Sequence, residues 1–135
     1  MIYFNNQKAC VIYLKQKNTA YIAVDGFVDS ISVRKLMIKI LELSLKTNVK
    51  YLLVDTLKLE IIRDDDIKWI LQEIYPGFKL APLKRIAYVK PENVFGVNSV
   101  KKLIPQNTLK EFKEFLSIEE AEKWIFKSAN SKALV

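Results

Sequence analysis

"LLVDTLKLEIIRDDDIKWIL", residues 52–71, decides the architecture. It opens as a run of aliphatic side chains closing on Asp55, and continues into Ile67, Ile70, Leu71 and Ile74 at helical spacing. A strand that passes into a helix is half of a crossover unit. The run "VKYLLVD" (49–55) is short and almost unbroken in its apolarity, as in strands covered on both faces. Between strand and helix stand three consecutive acids, Asp64, Asp65 and Asp66. This reading places a loop over Thr56–Arg63, starts the helix with Asp64 or Asp65 as its cap, and ends it at Pro76-Gly77.

Upstream, "CVIYLKQKNTAYIAVDG" (10–26) reads as two strands joined by a polar turn, Lys15–Asn18, hence an antiparallel hairpin. "DSISVRKLMIKILELSLKTN" (29–48) follows as an amphipathic helix, with Val33, Leu36, Met37, Ile40, Leu41 and Ser44 on its inner stripe. Asp29, Ser30 or Ser32 can cap it, and Asn48 can end it. Downstream, "RIAYVK" (85–90) is a buried strand stopped by Pro91, and "FGVNSVKKLI" (95–104) a short helix ended by Pro105. "LKEFKEF" (109–115) is read as a strand, although Leu109, Phe112 and Phe115 break strict alternation. The last helix opens on the capping box Ser117–Glu120 and carries Ile118, Ala121, Trp124 and Ile125 inward. The order β-β-α-β-α-β-α-β-α implies an α/β fold in one domain spanning 1–135. It has a mixed, mainly parallel sheet of about five strands, an opening antiparallel hairpin and about four helices packed on it. Ligands of such sheets meet the carboxyl ends of the strands, where Asp55 and the acid triplet fall.

Composition narrows the function. The chain of 135 residues contains no histidine, which removes the commonest general base, and its three glycines (26, 77, 96) are scattered, so no glycine loop cradles a phosphate. No catalytic residue is assigned. Cys10 is the lone cysteine, which excludes an internal disulfide; in "ACVIYL" it reads as a small buried hydrophobe. No apolar run reaches the ~18 residues needed to span a bilayer, and no leader pattern opens the chain, so a cytoplasmic, reducing setting is expected. A homodimer through the sheet edge or a helix face is compatible with the sequence, but no heptad or apolar stripe is read as demanding it.

The net charge of +7 is concentrated. Lys79–Lys113 holds eight bases against two acids, and the rest of the chain fourteen against thirteen. Lys84, Arg85, Lys101 and Lys102 are therefore candidates for an anionic or amphipathic ligand, whether lipid, nucleotide or nucleic acid. The plainer reading is a solvated lysine face, since no stacking aromatic ladder accompanies them.

Asp64, Asp65 and Asp66 admit four readings. Asp suits a helix start, where it caps free N–H groups and complements the dipole. An acidic helix start with Trp69 beside it could also form a partner surface. Asp55 with two of the triplet could offer oxygen ligands to magnesium, but the spacing matches no metal loop, so no metal or cofactor is assigned. A carboxylate-based active site has nothing else to support it. Trp69 and Trp124 read first as packing residues.

Four stretches, taken in order, carry a resemblance: "KYLLVD" (50–55), "DDDIKWI" (64–70), "KRIAYVKPEN" (84–93) and "F…S.EEAEKWI" (115–125). Together they resemble the SpoIIAA-like branch of the STAS domain family, small bacterial proteins, over roughly Tyr21–Ile125. The resemblance implies a non-enzymatic regulatory module that binds another protein, as anti-sigma-factor antagonists do. In that pattern a strand ending in Asp is followed by a helix opening on Asp-Ser-Ser/Thr-Gly, whose serine is phosphorylated to switch the partner. Here Asp65 or Asp66 stands in the serine's place, with no hydroxyl and no glycine after it. The family switch is thus missing, and the partner-binding residues implied are Asp64, Asp65, Asp66 and Trp69. Lipid-type ligands are also implied by analogy, with Phe95 and Val97 in "PENVFGVNS" (91–99) closing an apolar pocket or capping the core.

Overall fold

The computed structural model describes residues 1–104 and 110–133, and of 127–133 the backbone only. Leu109 and Pro105, invoked above, lie outside the described residues. Six strands form one sheet in the order of the chain: β1 (Ile2–Asn5), β2 (Ala9–Leu14), β3 (Thr19–Phe27), β4 (Tyr51–Ile61), β5 (Arg85–Val89) and β6 (Glu111–Phe115). The first two pairings are antiparallel and the remaining three parallel. Helices α1 (Ser30–Lys46), α2 (Asp64–Trp69), α3 (Tyr75–Phe78) and α4 (Val94–Leu103) connect the parallel strands, and α5 (Ile118–Ala133) follows β6.

The sheet is covered on both sides, which is why β5 and the first half of β4 lack alternation. One face carries Val11, Ile22, Leu52 and Ile86 against Leu36, Ile40 and Leu43 of α1. The other carries Tyr51, Leu53 and Ala87 against Ala121 and Ile125 of α5. Phe112 and Phe115, three apart, point to opposite faces and serve one core each, so the broken alternation belongs to a strand buried from both sides. Each fully buried aliphatic side chain here contributes about 1.5–3 kcal/mol relative to exposure.

Four details depart from the sequence reading. A sixth strand, β1, precedes the hairpin; the turn into β2 is made by Asn6, whose Oδ1 accepts from the N–H groups of Lys8 and Ala9 at 2.8 Å each. The segment assigned to a loop, Thr56–Arg63, is mostly strand: β4 runs on to Ile61, paired with β3 alone across two register shifts. Gly26 takes φ +72° between them, a conformation glycine adopts freely. The helix started by the acids does not stop at Pro76. A π turn over Ile70–Ile74 leads directly into α3, which contains Pro76. Proline cannot complete an i→i−4 bond and crowds the carbonyl four residues back, and the wider turn relieves both. Finally, Cys10 is half-buried rather than enclosed.

A third core joins the overhanging end of β4 to the helices: Val28, Val33, Leu59, Ile62, Ile67, Ile70, Ile74 and Val100. Ser99 of α4 locks it, accepting from the Ile62 N–H at 3.0 Å and donating to the Ile62 carbonyl at 3.3 Å. Gly96 lets α4 approach, because a Cβ there would lie 2.4 Å from the Leu59 carbonyl oxygen. The start of α2 is thereby held between α1 and α4.

Candidate functional site

The three aspartates occupy the first turn of α2 but do not cap it. The cap position is Arg63, and no side chain there bonds the free N–H groups. The carboxylates go three ways. Asp64 is exposed and pairs with Lys102 Nζ at 2.9 Å, and that hydrogen bond, with the lysine's charge, holds Asp64 below the usual carboxylate range. Asp65 is exposed. Asp66 is 0% exposed. Its Oδ1 accepts from Arg34 Nε at 3.0 Å and its Oδ2 from Ser30 Oγ at 2.8 Å. A buried carboxylate without such partners would be very costly, and α1 supplies both from its first two turns. Arg34 also lies over the indole of Trp69, 4.9 Å from the ring centroid.

The acid run is therefore not a uniform recognition surface. Asp66 is internal and belongs to a clasp between α1 and α2, which removes it from the partner-binding set. Asp64, Asp65 and a half-buried Trp69 remain accessible at the same helix start. Sequence offers Ser30 only as a possible cap of α1 and gives Arg34 no role, whereas the fold makes both partners of Asp66. The α1 cap is Asp29, which accepts from Ser32 N at 3.2 Å and lies below its usual range through that serine.

Asp55 does not join the cluster. It lies in one cross-strand row with Cys10, Ala23 and Val89, two residues beyond Leu53 and hence on the α5 side of the sheet. Its Oδ1 accepts from Leu57 N at 3.1 Å. The carboxylates weighed as magnesium ligands, to which no metal is assigned, thus diverge, with Asp64 and Asp66 already paired to cations. Asp55, Cys10, Asp25, Lys8 and Lys58 instead border an open groove of about 300 Å³ beside the β1–β2 turn.

The basic candidates split as well. Lys84 and Arg85 sit where β5 begins, opposite Tyr51 at the start of β4. Lys101 and Lys102 end α4, next to the helix that follows the far end of β4. Arg85 Nε pairs with Glu111 Oε2 at 3.3 Å and lies over the Trp124 ring, with Lys113 also over that ring. Trp124 further packs against Phe115, 5.7 Å between centroids, so it closes the α5 core. Phe95 is 60% exposed and Val97 half-buried. No helix among the described residues is long and apolar enough to cross a membrane.

No family model matches this sequence. No curated protein matches it either. Among solved structures, the chain is similar to an uncharacterised protein of the DUF3478 family, with a SpoIIAA-like fold, from Shewanella loihica PV-4. The two share 18% identity at a TM-score of 0.58, over 90% of this chain and 97% of the other. The fold is SpoIIAA-like, as the four sequence stretches implied.

Proposed function

We propose that this SpoIIAA-like chain is a non-catalytic protein-interaction module with regulatory character, recognising a partner protein through the start of α2. The contact residues are Asp65, the Asp64–Lys102 pair and Trp69. One observation carries the reading: Asp66, clasped by Ser30 and Arg34, fixes this helix start and leaves its other two carboxylates facing water beside an indole. A rigid surface of mixed charge with an aromatic edge suits recognition of a partner by charge complementarity around an aromatic contact. The site holds no serine or threonine in its first turn, so binding is constitutive rather than controlled by phosphorylation there.

The competing reading, an anionic or amphipathic ligand at Lys84, Arg85, Lys101 and Lys102, has less support. The two pairs stand at different ends of the sheet, and Arg85 and Lys102 already face carboxylates. Affinity capture from native extract, with wild type and Asp65→Lys side by side, tests the proposal. A protein captured by wild type and lost with Asp65→Lys supports the α2 surface. Equal capture by both removes it, and salt-sensitive recovery of nucleic acid or lipid would favour the basic residues.

A further inference from the structure

The sheet ends on β6, which pairs with β5 alone among the described residues. The Glu111 N–H donates to the Lys84 carbonyl, and the Phe115 carbonyl accepts from the Lys90 N–H. Alternate residues of a parallel strand bond to the same neighbour. Glu111, Lys113 and Phe115 therefore turn their main chain to β5, and Phe112 and Glu114 turn theirs outward. Such an edge is a template for another strand, and charged side chains usually keep copies apart there. Here the charges balance. Lys110–Glu114 reads K-E-F-K-E, two bases and two acids, with opposite signs at equal distances on either side of Phe112.

We infer that this edge pairs with the same edge of a second copy of the chain, β6 against β6, antiparallel about a two-fold axis at Phe112. Register selects the occupant. An axis at Lys110 or Lys113 faces lysine with lysine, and an axis at Glu111 or Glu114 faces glutamate with glutamate. An axis at Phe115 runs off the end of the strand. The axis at Phe112 sets Glu111 opposite Lys113 and Lys110 opposite Glu114, each twice by symmetry. It also uses the outward main chain, because Phe112 then exchanges both of its hydrogen bonds with its own copy. In-register parallel pairing would face every charge with its like, which destabilises a sheet. The side chains have room for this. Glu111 is 62% exposed and faces Arg85 on the β5 side, so Lys113 of the second copy approaches from the open side and the carboxylate lies between two cations. Lys113 is exposed, and it stands 5.5 and 5.8 Å from the Phe115 and Trp124 centroids, near the outer limit of such contacts, so it can turn to a carboxylate. The opposite edge, Ile2–Asn5 of β1, carries no charged side chain and selects no register. The pairing uses none of the α2 residues proposed above for partner recognition.

So short a seam falls well below the ~800 Å² per partner of a standard interface, and the dimer is reversible, with a dissociation constant on the order of 100 µM. Sedimentation velocity of the full chain from about 10 µM to 1 mM tests it. Wild type shifts from monomer to dimer across that range. Lys113→Glu, which sets a glutamate against Glu111, stays monomeric, and the charge-swapped double variant Glu111→Lys/Lys113→Glu regains the dimer. A wild type that is monomeric throughout overturns the proposal, as does a Lys113→Glu variant that dimerises like wild type. A double variant that stays monomeric overturns the register. Glu114→Pro removes an outward N–H, a substitution that edge strands tolerate. It should stay monomeric and keep the far-ultraviolet circular dichroism of wild type, which separates loss of pairing from loss of fold; a Glu114→Pro dimer would overturn the main-chain pairing. Register is also read by oxidation in a Cys10→Ala background. A mixture of Glu111→Cys and Lys113→Cys chains couples, since opposed residues there stand about 4.5 Å apart, and neither chain couples to itself. Self-coupling of Lys113→Cys as efficient as coupling in the mixture would overturn the axis at Phe112.

Discussion

Asp66 shows how much one buried carboxylate can decide. Its two oxygens hold Ser30 and Arg34, both from α1, and so fix the angle between α1 and α2. Asp66→Ala removes a charge-assisted hydrogen bond and a hydroxyl partner together. Arg34 is 40% exposed and can turn to water, so the loss falls below that of a fully enclosed pair. We expect about 2–3 kcal/mol of destabilisation, read as a lowered urea midpoint with unchanged slope. Asp65→Ala, one residue away and solvated, should change stability by no more than about 0.5 kcal/mol. Equal effects from the two substitutions would refute the clasp. The sequence marks this position as an acid at a helix start, and no more than that. The partners lie 36 and 32 residues upstream, and such a pairing leaves no local spacing to read. Capping of α2 is expected of Asp64 or Asp65, but the fold pairs Asp64 with Lys102 and leaves Asp65 in water.

Among the elements, β4 and α4 depend on each other. Beyond Asp55 the strand has lost β5 as a neighbour, and α4 takes over: Ser99 bonds Ile62, and Gly96 sits against Leu59. Gly96→Ala would normally strengthen a helix by up to about 1 kcal/mol. Here its Cβ would meet a backbone oxygen at 2.4 Å, which no rotamer change relieves. A net loss of about 1–3 kcal/mol follows, visible as a melting temperature several degrees lower. A raised melting temperature would show that α4 has room to withdraw. The long β4 was legible: "TLKLEI" (56–61) alternates polar and apolar residues with period two, but the nearby acids draw attention to a loop. The inner stripe of α1 was legible too, and all six residues named for it are buried or half-buried. The passage through Pro76 was not legible, because proline signals a stop unless a π turn is foreseen.

Across the whole molecule, titration should reveal a plateau with two edges. There is no histidine, so no imidazole titrates through the neutral range. On the acid side, Asp29, Glu42 and Asp64 are all held below their usual range, chiefly by hydrogen bonds from Ser32, Lys46 and Lys102 in turn. Their contribution is present above the ordinary carboxylate range and disappears as pH falls through the lowered values. All three are at the surface, so this edge is shallow and softens with salt. On the alkaline side, burial raises the phenols of Tyr3, Tyr21, Tyr75 and Tyr88 above 10.0, Tyr75 most of all. Tyr75 donates its hydroxyl to the Leu103 carbonyl, joining the start of α3 to the end of α4. Above pH 10 the unfolded chain releases phenolic protons that the folded chain retains, so stability falls as pH rises. Urea midpoints for wild type should be level from about pH 6 to 9 and fall beyond 10. Tyr75→Phe loses the hydrogen bond, which lowers the plateau by about 1 kcal/mol. It also loses the group that resists ionisation most, so its alkaline decline should be shallower than that of wild type. If the two curves instead ran parallel above pH 10, the alkaline edge would belong to the three other phenols, and Tyr75 would serve as a tether alone.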